Sequence, residues 1–112
     1  MLPKIYRFSK KDFSIVFNSS TTKRVSTRFF TLLLTKDQTL VAPRLGVILA
    51  KKKQKKAVER NYTKRIIHAC FYNYRNQLNG SRLVVLSNRD IKNANRVDLW
   101  EDLEKLFKKV SY

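Results

Sequence analysis

A chain of 112 residues has room for one domain with a core and none for a second. Its 25 Lys and Arg against 8 Asp and Glu leave a formal charge of +17, so the expected partner is a polyanion: RNA, DNA or an anionic membrane. Apolar residues at 43% and aromatics at 12% suit a folded chain rather than a disordered one. No apolar run approaches the roughly 18 residues needed to span a bilayer. The start, MLPKIYRFSKKDF, lacks the apolar stretch and small-residue cleavage site of a signal peptide, which points to the cytoplasm and away from a membrane partner. A lone cysteine, Cys70, makes no internal disulfide and reads as a small buried hydrophobe.

In chain order, residues 9–18 read as a first helix. Ser9 and Asp12 have the spacing of an N-terminal capping pair, and Phe13, Val16 and Phe17 follow at i, i+3 and i+4. That stripe is either core or, for Phe13 and Phe17, the wall of a groove where unpaired bases stack on rings. Ile15 and Val16 would then anchor the helix while the two rings stay partly exposed. Residues 18–26 are polar and without period, a loop with room for a short extra strand at 23–26 or at 39–41. RFFTLLLT (28–35) and RLGVILA (44–50) read as strands, close enough in sequence to form an antiparallel hairpin.

The densest charge follows at once. Lys51, Lys52, Lys53, Lys55, Lys56, Arg60, Lys64 and Arg65 face a single anion, Glu59. The second half of this stretch has helical period. At about 100° per residue, Val58, Tyr62, Ile66, Ala69 and Cys70 fall on one arc and Arg60, Asn61, Lys64, Arg65 and His68 on the other. A solvated helix would carry Glu four residues from its Lys; here like charges stand at i and i+4 (Lys56, Arg60, Lys64), which is unfavourable unless a polyanion lies alongside. Arg and Asn add directional donors and acceptors to the point charge of Lys. Nucleic acid is therefore the favoured partner.

Asn79, Gly80 and Ser81 stop that helix, and RLVVLS (82–87) is apolar enough for burial on both faces in the middle of a sheet. A turn-rich segment at 88–95 leads to a last helix at about 98–110. Leu99, Leu103, Leu106, Phe107 and Val110 form its buried stripe, and Asp98 with Glu101 its expected capping box. The order helix, strand, strand, helix, strand, helix predicts an α+β domain with the helices gathered on one side of a small sheet.

Catalytic chemistry is not legible. Most of the acids on the last helix are explained by capping and the helix dipole, and no pair sits where two metal ions could be held. One histidine and one cysteine cannot assemble a metal set, and two glycines cannot make a phosphate-binding loop or a nucleophile elbow.

RLGVILAKKKQKKAVERNYTKR (44–65) resembles the signature of the bacterial ribonuclease P protein component: an Arg-Gly strand running into Lys-Lys, then a helix with Arg-Asn followed by Lys-Arg. DFSIVF (12–17), RLVVLS (82–87) and DLEKLFKK (102–109) resemble that family's first helix, late strand and closing helix. The resemblance spans nearly the whole chain, residues 1–112 as a single RNA-binding domain. It implies a ribosomal-protein-like sheet of about four strands with the basic central helix in a left-handed βαβ crossover, a handedness found in about 2% of such units. It also implies a role: an RNA subunit with Mg²⁺ removes the 5′ leader of precursor tRNA, the protein binds that RNA, and a groove beside the first helix holds the leader. No organic cofactor and no protein partner are implied.

By resemblance, Lys51, Lys52, Arg60, Asn61, Lys64 and Arg65 would contact the catalytic RNA, with Lys55, Lys56 and His68 beside them. Phe13 and Phe17 would wall the leader groove, and Arg44 and Ile48, alternate residues of one strand, would form its floor. The family commonly has Arg where this chain has Tyr62 and a basic residue where it has His68. The competing readings are a ribosomal or general structured-RNA-binding protein and a protein enzyme acting alone on RNA.

Overall fold

The computed structural model describes residues 3–50, 56–88, 91 and 94–110. Helix α1 (Lys10–Asn18) is followed by strands β1 (Lys23–Ser26), β2 (Phe30–Lys36) and β3 (Arg44–Ile48), helix α2 (Ala57–Tyr74), strand β4 (Ser81–Ser87) and helix α3 (Arg96–Val110). The four strands form one sheet in the order β1-β2-β4-β3. β2 is antiparallel to β1 and β4, whereas β3 runs parallel to β4, with α2 as the crossover between them. The chain is thus α+β with a mixed sheet, and the short extra strand is the one at 23–26.

The expected β2–β3 hairpin does not form, because β4 lies between the two. Its run of Leu83, Val84 and Val85 is fully buried and so takes the centre of the sheet, as its continuous apolar character predicts. Nor do the helices share one side. Cross-strand register places Leu34, Leu83 and Leu45 in one row and Leu32, Val85 and Val47 in the next, all on one face. That face joins Ile67, Cys70 and Phe71 of α2 and Leu103, Leu106 and Phe107 of α3 in the main core. Each such side chain taken fully from water contributes about 1.5–3 kcal/mol.

The opposite face carries the rows Thr35, Arg82, Arg44; Leu33, Val84, Gly46; and Thr31, Leu86, Ile48. Helix α1 packs here, on β4 and β2, with Val16 buried beneath it. Thr22 donates to the Val16 carbonyl (2.7 Å) and shares a hydrogen bond with Thr35 (2.9 Å), which fixes the end of α1 near β2.

Two local expectations shift. The buried stripe of α2 is Thr63, Ile66, Ile67, Cys70 and Phe71, while Val58, Tyr62 and Ala69 are exposed. The larger pair Ile67 and Phe71 sets the roll of the helix, and Thr63 is buried without penalty because its hydroxyl donates to the Glu59 carbonyl (3.0 Å). The cap of α3 is Asn95 with Asp98, each side chain accepting from the other's backbone N–H (2.9 and 3.3 Å), in place of Asp98 with Glu101. Asp102 is buried instead, where it accepts from the Phe29 N–H (3.1 Å) and the Thr27 hydroxyl and ties α3 to the β1–β2 turn. Cys70 is fully buried and its thiol is pushed up to about 12 by that burial.

Candidate nucleic-acid interface

Helix α1 begins where sequence places it. Ser9 accepts from the Asp12 N–H (3.3 Å) and Asp12 accepts from the Ser9 N–H (2.8 Å), a reciprocal capping box. The Asp12 carboxylate then reaches the sheet. It accepts from Arg82 Nε (2.8 Å) and from Arg44 (3.1 and 3.3 Å), and the other arm of Arg82 donates to Asp37 (2.7 Å). Burial alone would raise the Asp12 carboxyl, but the bonds from Arg82, Ser9 and Arg44 outweigh it and hold the group at about 2.

The row occupied by Arg82 and Arg44 is therefore covered by α1. One row on, a Cβ on Gly46 would stand 2.7 Å from the rings of both Phe13 and Phe8, so only glycine lets these rings lie on the strand. Phe8 and Phe13 meet edge to face with centroids 4.8 Å apart, and Phe13 and Phe17 lie nearly parallel at 6.4 Å. Phe13 is half-buried in this wedge, while Phe17 is 51% exposed. A further row on, the sheet opens at β3 and β4, while Thr31 on β2 is buried and hydrogen-bonded to Ser26 and Asn88. Ile48 is exposed and Leu86 half-buried; Arg24, Thr31, Leu33, Leu86, Ser87 and Asn88 line a depression beyond the helix. The Asn88 amide is held by the Thr31 hydroxyl (2.7 Å) and the Thr27 carbonyl (2.8 Å), which stiffens the far rim. An aromatic wall, an aliphatic floor and a polar rim make a groove in which a single strand can stack its bases.

The second surface is α2. Lys56, Asn61, Lys64 and Arg65 are exposed on it, and Arg60 is half-buried beside Asn61 and Lys64 in a small polar recess against Val47 and Leu49. Tyr62 stands exposed at this same end of the helix rather than in the core. Lys51, Lys52 and Lys55 lie outside the described residues. His68 turns from this row into a cavity of about 380 Å³ at the outer edge of β3, which Arg7, Phe8, Phe13 and Lys64 also line. Burial, then the nearby charge of Lys64, lowers the His68 pKa and favours the neutral imidazole.

Among the expected residues, Phe13 and Phe17 stack on each other, Ile48 lies on the same sheet face one row beyond Gly46, and Arg60, Asn61 and Lys64 share the recess on α2. Arg44 lies under α1 on Asp12 and not on the open floor. Sequence reasoning missed Phe8, Arg7, Leu33, Leu86 and Asn88. The two leucines sit in unbroken apolar runs that do not show which face each takes, and Phe8 and Arg7 carried no signal because the bridge of Arg7 to Leu45 that docks them is a tertiary event.

No three His, Cys, Asp or Glu side chains come together as a metal-holding set among the described residues. The carboxylates closest to the groove do not fit one: Asp12 is taken up by two guanidiniums, and Asp37 by Thr39 and Arg82. No helix among the described residues is long and apolar enough to cross a membrane.

The family model described as Ribonuclease P matches residues 2–111. The ribonuclease P protein component of Pseudoalteromonas translucida is 34% identical over 99 residues, 88% of this chain and 69% of that protein. That of Pseudomonas aeruginosa is 34% identical over 100 residues, 89% of this chain and 73% of its own. Among solved structures, the Staphylococcus aureus RNase P protein superposes with a TM-score of 0.84 at 24% identity, over 96% of this chain and 98% of that one. The Thermotoga maritima RNase P protein gives 0.75 at 27% identity, over 93% and 94%.

Proposed function

From the membership of this chain in the ribonuclease P protein family, we propose that it is the RNA-binding subunit of that endoribonuclease and that it holds two RNAs on two surfaces. The exposed cations of α2, with Lys51, Lys52 and Lys55 ahead of it, bind the catalytic RNA through its phosphates. The groove of Phe13, Phe17 and Ile48 takes the 5′ leader of precursor tRNA. The RNA subunit, with Mg²⁺ held by RNA and substrate, cleaves the leader to give the mature 5′ end; the protein supplies affinity and placement, and no side chain of it attacks the phosphodiester.

The observation that carries this reading is the half-exposed Phe17, stacked on Phe13 on the side of the sheet where Ile48 and Leu86 stay partly open. A core aromatic would be covered, and a purely electrostatic binder needs no ring there. Stacking is worth about 1–3 kcal/mol per base and tolerates any sequence, which suits leaders of varied composition. Phosphate contacts along α2 add affinity without sequence preference.

Reconstitution with a bacterial ribonuclease P RNA tests the proposal. The complex should cleave precursor tRNA at Mg²⁺ concentrations where the RNA alone is slow, and the protein alone should cleave nothing. Cleavage by the protein without RNA would make it a nuclease in its own right. Tight RNA binding with no stimulation would make it a general structured-RNA binder.

A further inference from the structure

We propose that Asp12 is a positioning residue for the leader groove: it clamps α1 to the sheet through Arg82 and Arg44, and in doing so withholds both guanidiniums from the phosphates of the bound strand. The inference rests on the groove reading above. Its basis is geometric. Asp12 is 2% exposed, and three of the five hydrogen bonds its carboxylate accepts come from outside its own turn: one from Nε of Arg82 on the central strand and two from a single guanidinium nitrogen of Arg44 on the edge strand. No other ion pair among those described joins α1 to the sheet. The adjacent residue is Phe13, whose ring has no slack, since it already occupies the space a Cβ on Gly46 would need. A small roll of α1 about its axis would thus break the Phe13 wedge and turn Phe17, one helical turn on, away from the floor.

Arg44 is 39% exposed at the start of its strand, beside α1 and at the opposite end from Ile48, and is open enough to solvent to meet a phosphate. With Asp12 ionised its guanidinium is already engaged, and Arg82 is doubly engaged by Asp12 and Asp37. A strand entering the groove therefore finds rings and aliphatic surface at the α1 side and finds its cations elsewhere, on α2. Bases turn inward and phosphates outward. Without the carboxylate, Arg44 would compete for the backbone and pull the strand out of stacking register.

The test uses holoenzyme reconstituted with a bacterial ribonuclease P RNA and compares precursor tRNA with mature tRNA, which lacks the leader. Asp12→Asn keeps the shape of the side chain and removes its charge. The expected result is a loss of about five- to tenfold in affinity confined to the leader-bearing substrate. With it, the dependence of log K on log salt should become steeper by about 0.7, as one new phosphate contact is made. A clamp that mattered only for folding would weaken both substrates alike and would leave the salt dependence unchanged; either outcome overturns the inference, as does wild-type behaviour on both substrates.

Circular dichroism and melting of the variant establish that it folds. If it does not, Arg44→Gln, which leaves the Asp12–Arg82 bond in place, should show the same leader-confined loss without the steeper salt dependence, and equal loss on both substrates overturns the inference there too. Phe17→Ala is measured in parallel. If it shows no leader-confined effect, the groove reading itself fails and the clamp falls with it. If Phe17→Ala loses the leader and neither clamp variant does, the groove stands and only the role of Asp12 is lost.

Discussion

The two faces of the sheet are built from the same strands and meet opposite fates. One face, through Leu32, Leu34, Leu45, Leu83 and Val85, is sealed by α2 and α3 into the main core. The other is covered by α1 over one row, wedged by Phe8 and Phe13 over the next and partly open at the third, at Leu86 and Ile48. Their chemistry differs accordingly. On the sealed face Leu32, Leu34, Leu45, Leu83 and Val85 are aliphatic and buried; on the open face ion pairs, threonines and half-exposed rings alternate. Small domains cannot spare much surface from their cores, so leaving a sheet face partly uncovered costs stability.

The largest effect that could break this division is expected on the sealed side. Phe107 is fully buried and meets the rings of Phe71 (6.2 Å) and Tyr74 (6.0 Å). Phe107→Ala should lower stability by about 3–5 kcal/mol, measured by urea unfolding. What remains folded should still tell precursor from mature tRNA. A variant of normal stability that had lost this discrimination would show that the two faces are not separable.

Phe17→Ala sharpens the comparison from the other side. Because the ring is half-exposed, its removal should shift melting little, while affinity for leader-bearing substrate falls by about 1–3 kcal/mol and affinity for mature tRNA is unchanged. A large fall in melting temperature with no leader-dependent change would return Phe17 to the core.

Acid should loosen the open face selectively. The Asp12 carboxyl titrates at about 2 in the folded chain against 3.8 for the ordinary group, so the folded state favours the ionised form. That contribution is fully present above about pH 3.8 and is lost as pH falls toward 2; its size is on the order of 2 kcal/mol. Asp37 is lowered into the same window by Thr39 and Arg82, so the native curve alone does not isolate Asp12. The difference between native and Asp12→Asn stability, followed from pH 5 to pH 2, should shrink toward zero at the acid end. A constant difference would mean that the ionised carboxylate is not what holds α1 down.

How legible these faces were in sequence follows from the range of the interactions that make them. The capping box of Ser9 and Asp12, the central burial of β4 and the apolar stripe of α3 are local or nearly so, and each could be read from spacing. The placement of α1 opposite α2 and α3 could not be. It depends on which parity of β2, β3 and β4 faces which helix, and residues such as Val84 and Leu33 look no different in sequence from Val85 and Leu32. The roll of α2 failed for a related reason. An arc drawn on apolarity alone counted Val58 and Tyr62, which lie at the end of α2 farthest from Cys70 and Phe71, and it passed over Thr63, whose hydroxyl is satisfied by its own helix. Arg44 was legible as a residue of the α1 side and not as the partner of Asp12, 32 positions away.

The smallest expected effect separates the groove from the cationic helix, and it is read in a slope rather than an affinity. Lys64 is exposed on α2, at the junction of the polar recess beside Arg60 and Asn61 and the cavity shared with Phe13 and His68. If it binds a phosphate of the catalytic RNA, Lys64→Ala removes one neutralised charge and the counterion it released. The dependence of log K on log salt for that RNA should then flatten by roughly 0.7–0.9, with the protein folded as before. Phe17→Ala should leave the same slope unchanged, because a ring releases no counterion. The pair of variants thus assigns each surface its kind of contact. A slope unmoved by Lys64→Ala would mean that this cation faces bulk water. A flattening seen only with leader-bearing substrate would move Lys64 from the catalytic RNA to the leader, and would make the β3-edge cavity a continuation of the groove.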